Sequence, residues 1–191
     1  MKLNDGLLLF HGSYTPVENI DLKLCDPGKD FGQGFYLTSD LNQAQSFIRS
    51  VLDRARAKGM IPLAQNFGYI SSYRFRSPQE TLKVHEFETA DREWLWFIAN
   101  NRRRKLASVI DKQVKDIGES DIVIGKVAND QTNPVLAIYL NGFFGDIQSE
   151  RAVNEAIRQL IPDKLVDQYC FLTEKAIKCL EFQEARKYVV K

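Results

Sequence analysis

Apolar residues in this chain recur with two different periods. Leu41, Ala44, Phe47, Ile48, Val51, Leu52 and Ala55 follow the three-and-four spacing that lines one face of a helix. Arg49, Asp53, Arg54 and Arg56 lie mostly off that face. Ser39 or Asp40 stands before the run as an N-cap and Gly59 follows it as a stop, which predicts a helix to about Lys58. The same period predicts a helix over Asp91–Arg103, capped by Thr89 or Asp91 and carrying Trp94, Leu95, Phe97 and Ile98. A third helix covers Ser149–Leu160, with Ala152, Val153, Ala156, Ile157 and Leu160 on one face. Two short helices are predicted over Pro134–Leu140, with proline in the first turn, and over Thr173–Leu180.

Shorter runs of β-formers between turn residues predict strands at Gly6–Gly12, Phe67–Arg76, Leu82–Phe87, Asp121–Ala128, Gln168–Leu172 and Phe182–Val190. Ser13–Pro27 is polar and turn-rich and reads as loop with at most one short extended piece. Strands and helices mix without strict alternation, which predicts an α+β fold rather than a doubly wound sheet. No repeat, linker or low-complexity segment divides the chain, so residues 1–191 read as a single domain.

Between the first loop and the first helix lies Asp30–Asp40, D-F-G-Q-G-F-Y-L-T-S-D. Gly32 and Gly34 permit close approach of backbone or ligand. Phe35-Tyr36-Leu37-Thr38 then favours a strand. A glycine-flanked aromatic strand running into a capped helix makes one wall of a ligand cleft, or an ordinary core junction.

Composition narrows the classes. Charged residues make up 27% and the formal net charge is +1, so no global field draws the chain to nucleic acid or anionic lipid. Three cysteines, Cys25, Cys170 and Cys179, form no C-x-x-C pair, which argues against a disulfide framework or a zinc site. No long apolar run marks a signal peptide or a membrane span, and Leu7–Phe10 is too short. The expectation is a reduced, cytoplasmic protein with no membrane partner and no metal.

Three pieces stand in a telling order: His11-Gly12-Ser13 at the end of the first strand, Gly34-Phe35-Tyr36-Leu37-Thr38 entering a helix, and Asp167-Gln168-Tyr169-Cys170-Phe171 on a late strand. They resemble the signature of the ADP-ribosyltransferase superfamily, in the branch with His, Tyr and an acidic or amide residue that includes poly(ADP-ribose) polymerases and diphtheria toxin. More closely, F-H-G-S, D-F-G-x-G-F-Y-L-T, E-W-L-x-F-I-x-x-N-R, D-I-V-I-G-x-V-A-N-D and D-Q-Y-C-F-L-T resemble a bacterial family of uncharacterised proteins in that superfamily, from about residue 7 to about residue 182.

The resemblance implies two packed antiparallel sheets with flanking helices and an NAD cleft between the sheets. It implies NAD as substrate, a protein or nucleic-acid acceptor for ADP-ribose, and, for a toxin-like member, a restraining partner protein. His11 would bond a ribose hydroxyl. Gly12 would present its backbone to the nicotinamide carboxamide, beside Ser13 and Gly34. Tyr36 would stack on the cationic ring, with Thr38 nearby. Gln168 stands where the most active relatives carry Glu, so it keeps a hydrogen bond without a full charge. That argues against chain-forming polymerase activity and leaves single transfer of ADP-ribose, slow NAD hydrolysis or pure NAD binding; alternatively another acid serves, with Asp121, Asp130 and Glu174 as candidates. Asn129-Asp130 is first of all a turn signal. Asn101-Arg102-Arg103-Arg104-Lys105 is a solvated helix end or a phosphate or nucleic-acid contact, with Arg102 either a structural pair or a pyrophosphate clamp. His85 has no partner legible in the sequence.

Overall fold

A computed structural model describes residues 3–102, 114–126, 132–161 and 167–190. The elements run β1 (Leu8–Ser13), a 3-10 turn (Leu22–Leu24), β2 (Phe35–Leu37), α1 (Leu41–Ala57), β3 (Phe67–Phe75), β4 (Val84–Glu86) and α2 (Arg92–Arg102). Then come β5 (Ile122–Lys126), α3 (Thr132–Leu140), α4 (Glu150–Leu160), β6 (Asp167–Phe171), α5 (Glu174–Ile177) and β7 (Leu180–Val189). Residues 114–118 are also helical.

The strands form two sheets, ordered β1-β3-β7 and β2-β6-β5-β4. All pairings are antiparallel except β4–β5, which is parallel. That pair corrects the expectation of two wholly antiparallel sheets. Its cause is long-range: β4 and β5 are joined through α2, a crossover that lets both run the same way.

Period-two alternation sorts the side chains into layers. Leu9, Tyr73 and Phe75 of the first sheet meet Phe35, Leu37, Ile122, Ile124, Tyr169 and Phe171 of the second in one buried cluster between the sheets. The second sheet's other face carries Val123 and Cys170 against Trp94, Phe97, Leu136, Tyr139, Val153 and Ala156 of α2, α3 and α4. On the far side of the first sheet, Ala44, Ile48 and Leu52 of α1 cover Ile70. The α+β class is thus as the pattern predicts, and the two packed sheets are as the resemblance implies.

Local chemistry sets the helix ends. The Asp40 carboxylate accepts the Asn42 N–H at 2.8 Å, capping α1, and Gly59 turns the chain out at φ +67. The expected helix from Pro134 begins two residues earlier, at Thr132; proline is tolerated there because N–H groups of the first turn have no helical acceptor. The expected helix Thr173–Leu180 shortens to α5. There the first sheet wins the backbone: the Arg76 N–H bonds the Cys179 carbonyl at 2.8 Å, and Leu180 pairs with Phe75 to open β7. The Ser13–Pro27 loop holds a 3-10 turn rather than an extended piece, capped by Asp21.

Candidate functional site

β1 and β2 belong to different sheets and touch at a single bridge. The Phe10 N–H bonds the Thr38 carbonyl at 2.8 Å and the Thr38 N–H returns to Phe10 at 3.0 Å. Continued antiparallel pairing would set Gly12 opposite Tyr36, but among the described residues no second bridge forms. Instead the His11 side chain takes the Tyr36 carbonyl, its Nδ1–H donating at 2.9 Å. The strands part at that point.

His11 lies on the inter-sheet face, its ring 4.4 Å from that of Phe35. Burial pushes its pKa below the usual value, and the bond to Tyr36 pulls partly the other way. The neutral imidazole with its proton on Nδ1 leaves Nε2 as a hydrogen-bond acceptor. Gly12 points to the opposite face, under α1. A Cβ there would sit 2.7 Å from the Ala44 carbonyl, so helix packing alone demands glycine. Phe10 and Gly12 share one backbone direction, away from β3 and toward β2. Ser13 is buried at the end of β1.

On β2, Phe35 and Leu37 enter the inter-sheet core while Tyr36 packs against the other cluster. The Tyr36 hydroxyl accepts the Phe31 N–H at 2.8 Å and donates to the Gly32 carbonyl at 3.0 Å. Burial pushes the phenol well above its ordinary pKa, so it stays neutral. Gly34 is required by β6 behind it, where a Cβ would meet Cys170 Sγ at 2.5 Å. Burial likewise raises the Cys170 thiol far out of reach of ionisation. The Thr38 hydroxyl donates to the Gln43 side chain and accepts the Asp40 N–H, so it shapes the start of α1.

Gln168 sits on β6 opposite Gly125 and is partly buried. The register Tyr36–Cys170 places Gln168 one step beyond the end of β2, on the face that carries Tyr36. His11 and the Tyr36 ring therefore approach from opposite faces of the second sheet. They lie on either side of β2, which is the edge strand of that sheet.

Arg102 pairs with Asp30, whose side chain is 1% exposed, and Arg102 also reaches Asn133 Oδ1 at 2.9 Å. Asn101 Nδ2 donates to the Asp30 carbonyl at 2.9 Å. Phe31 stacks among Tyr36, Phe87 and Phe97. Burial, then the Arg54 guanidinium, push the Lys29 ammonium down, while Asp26, paired with it at 3.7 Å, pulls the other way.

Asp121 ties three strands together. Burial pushes its carboxyl up, but the Lys83 N–H at 2.8 Å, the Thr173 hydroxyl at 2.7 Å and Lys175 together hold it below the ordinary value. It and Glu174 stand at the opposite end of the β5–β6 pair from Gln168. Asn129, Asp130 and Arg103–Lys105 lie outside the described residues. His85 packs edge-on against Phe87 and faces Glu93 at 3.8 Å, partners that only the fold supplies.

The model of a family described as "Protein of unknown function (DUF3990)" matches residues 7–182. The chain belongs to this family. No curated protein and no solved structure matches it. The matched span of this DUF3990 protein takes in His11, Tyr36 and Gln168 and ends inside β7. Among its described residues no cluster of three or more His, Cys, Asp or Glu forms a metal-binding group, and no helix is long and apolar enough to cross a membrane.

Sequence reasoning gave Asp30 and Phe31 no role of their own and read Asn101 only as part of a basic helix end, not as the group that holds the Asp30 carbonyl. Their signal was present in D-F-G before the strand and N-R at the helix end, but nothing in the sequence says that these two strings meet.

Proposed function

We propose that this protein is an NAD-dependent mono-ADP-ribosyltransferase, passing ADP-ribose to a protein or nucleic-acid acceptor and releasing nicotinamide. The observation that carries the reading is the parting of β1 and β2 at Gly12 and Tyr36, with His11 held across the gap. A flat carboxamide fits a strand whose backbone faces an open edge. The Nε2 lone pair of His11 is suited to a ribose hydroxyl, since Nδ1–H is engaged by Tyr36. The ring of Tyr36 offers an aromatic face to a pyridinium. Arg102, which the resemblance offers as a structural pair or a pyrophosphate clamp, is engaged by Asp30 and Asn133 and so serves the loop.

In the reaction the bond between the nicotinamide nitrogen and the ribose carbon breaks. Its electron pair leaves with nicotinamide, neutralising the pyridinium. The acceptor nucleophile bonds the ribosyl carbon and its proton passes to solvent. Gln168 supports the 2′-hydroxyl by an amide hydrogen bond. Without a carboxylate, the rate falls by about 10²–10³ relative to an acid at that position. A reducing cytoplasmic setting accords with three free cysteines.

A second reading, an NAD-binding module without turnover, is favoured by the placement of Asp121 and Glu174 away from Gln168. One experiment separates the two: nicotinamide release by wild type, His11→Ala, Tyr36→Ala and Gln168→Glu. Release that falls in the first two variants and rises in the third supports the transferase. No release, with NAD still raising Tm, supports the module. No release and no thermal shift sinks both. For the transferase, NAD labelled on its adenylate part marks an acceptor in cell extract, and growth arrest on expression would point to a toxin-like acceptor.

A further inference from the structure

Among the described strands, β7 has a neighbour on one side only. Its free edge can be read residue by residue. The Phe75 N–H bonds the Leu7 carbonyl at 2.8 Å, so odd-numbered residues of β3 turn their peptide groups toward β1 and even-numbered ones toward β7. Gly68 and Ile70 thus engage Tyr188 and Arg186, and the Val190 N–H continues the series to Asn66 at 2.9 Å. The peptide groups of Ala185, Lys187 and Val189 face outward. At the other end of the strand the register slips, leaving Gln183 as the extra residue. There Gln183 Nε2 donates to the Glu181 and Phe182 carbonyls at 3.1 and 3.3 Å and closes the edge.

The open part has a polarity. Glu181 and Glu184 lie toward its start, Arg186 and Lys187 toward its end. An antiparallel copy of the same strand would set each acidic half against a basic half. A ladder needs outward residues opposite outward residues, which limits the registers. With Ala185 opposite Ala185, Glu184 faces Arg186 on both sides of a two-fold axis and Lys187 faces Gln183. A two-residue slip one way sets Glu184 against Glu184, and the other way Arg186 against Arg186. Glu184 and Arg186 now pair within the chain at 2.8 Å, with side chains 48% and 78% exposed, so both can turn to a partner.

We propose that β7 pairs antiparallel with β7 of a second copy, centred on Ala185, joining two three-stranded sheets into one of six strands. The contact is isologous, and the bulge at Gln183 sets its length. It lies on a different strand from the candidate NAD site and does not depend on that reading.

Sedimentation equilibrium of the full chain tests it, with a mass rising from 21.9 kDa toward twice that value as concentration increases. Glu184→Arg places like charges opposite each other twice and raises the dimer dissociation constant about tenfold, and Arg186→Glu does the same. The double variant E184R/R186E reverses the pair and returns the constant to within about threefold of wild type. In the unmodified protein, amide exchange at Ala185, the outward residue whose partner on the second copy is also open, slows as concentration rises. A protein still monomeric at about 1 mM overturns the proposal. So does a dimer indifferent to the single reversals, or exchange at the Ala185 amide that ignores concentration.

Discussion

The two ends of β2 are built differently. Before Phe35, the Asp30–Gly34 loop is held from every side: Arg102 on the Asp30 carboxylate, Asn101 on its carbonyl, Tyr36 on the Phe31 N–H and the Gly32 carbonyl. Toward the other end, the His11 bond to the Tyr36 carbonyl and one bridge at Thr38 join the strand to β1. The first region has its polar groups satisfied and its aromatic side chain sunk in a core. The second leaves peptide groups of β1 facing a gap. The clamp serves stability, the proposed function places ligand chemistry at the parting, and Tyr36 takes part in both, its hydroxyl in one and its carbonyl in the other.

The comparison can be broken at the clamp first. Phe31→Ala empties a site that is 1% exposed among three aromatic rings, and denaturant unfolding should show a loss of about 4 kcal/mol. A loss below about 1 kcal/mol would mean the loop does not anchor the sheet.

Tyr36→Phe divides the two roles of one side chain. It removes the hydroxyl and leaves the ring, so stability should drop by about 1–2 kcal/mol as the Phe31 N–H loses its acceptor. NAD-induced stabilisation should survive, because stacking needs only the ring. Loss of the NAD effect with unchanged stability would reverse the assignment.

The smallest effect concerns His11. Its folded pKa lies below 6.5, so between that lowered value and 6.5 the unfolded chain binds more protons. Its contribution to stability is complete above about 6.5 and is lost as pH falls through the folded value. His11→Gln can keep a donor for the Tyr36 carbonyl without titrating, and its Tm should fall less steeply than wild type below about pH 6.5. His85, also lowered by burial, acts in the same sense in both proteins and cancels from the difference. Equal slopes would place His11 in water.

Helix faces were legible because they depend on residues three and four apart. Asp40, Ala44, Ile48 and Leu52 take the places that spacing predicts. The split of Phe35 from Tyr36 was legible for the same reason, since neighbours on a strand point to opposite faces. The order of His11, Tyr36 and Gln168 along the chain was legible too, but not their arrangement. Gln168 meets β2 through a register set by ladder bonds far apart in sequence.

By itself, the sequence determined most of the elements, the α+β class and the main apolar face of the longer helices, because these follow from local periods and capping chemistry; it missed the 3-10 turn at Leu22–Leu24 and the helix at 114–118. Tertiary structure alone decided the parallel β4–β5 pair, the union of Asp30 with Arg102, the reason for glycine at Gly12 and Gly34, and the single bridge at which the sheets part. Each of these depends on which distant backbone or charge arrives at a given place, and no period along the chain encodes that.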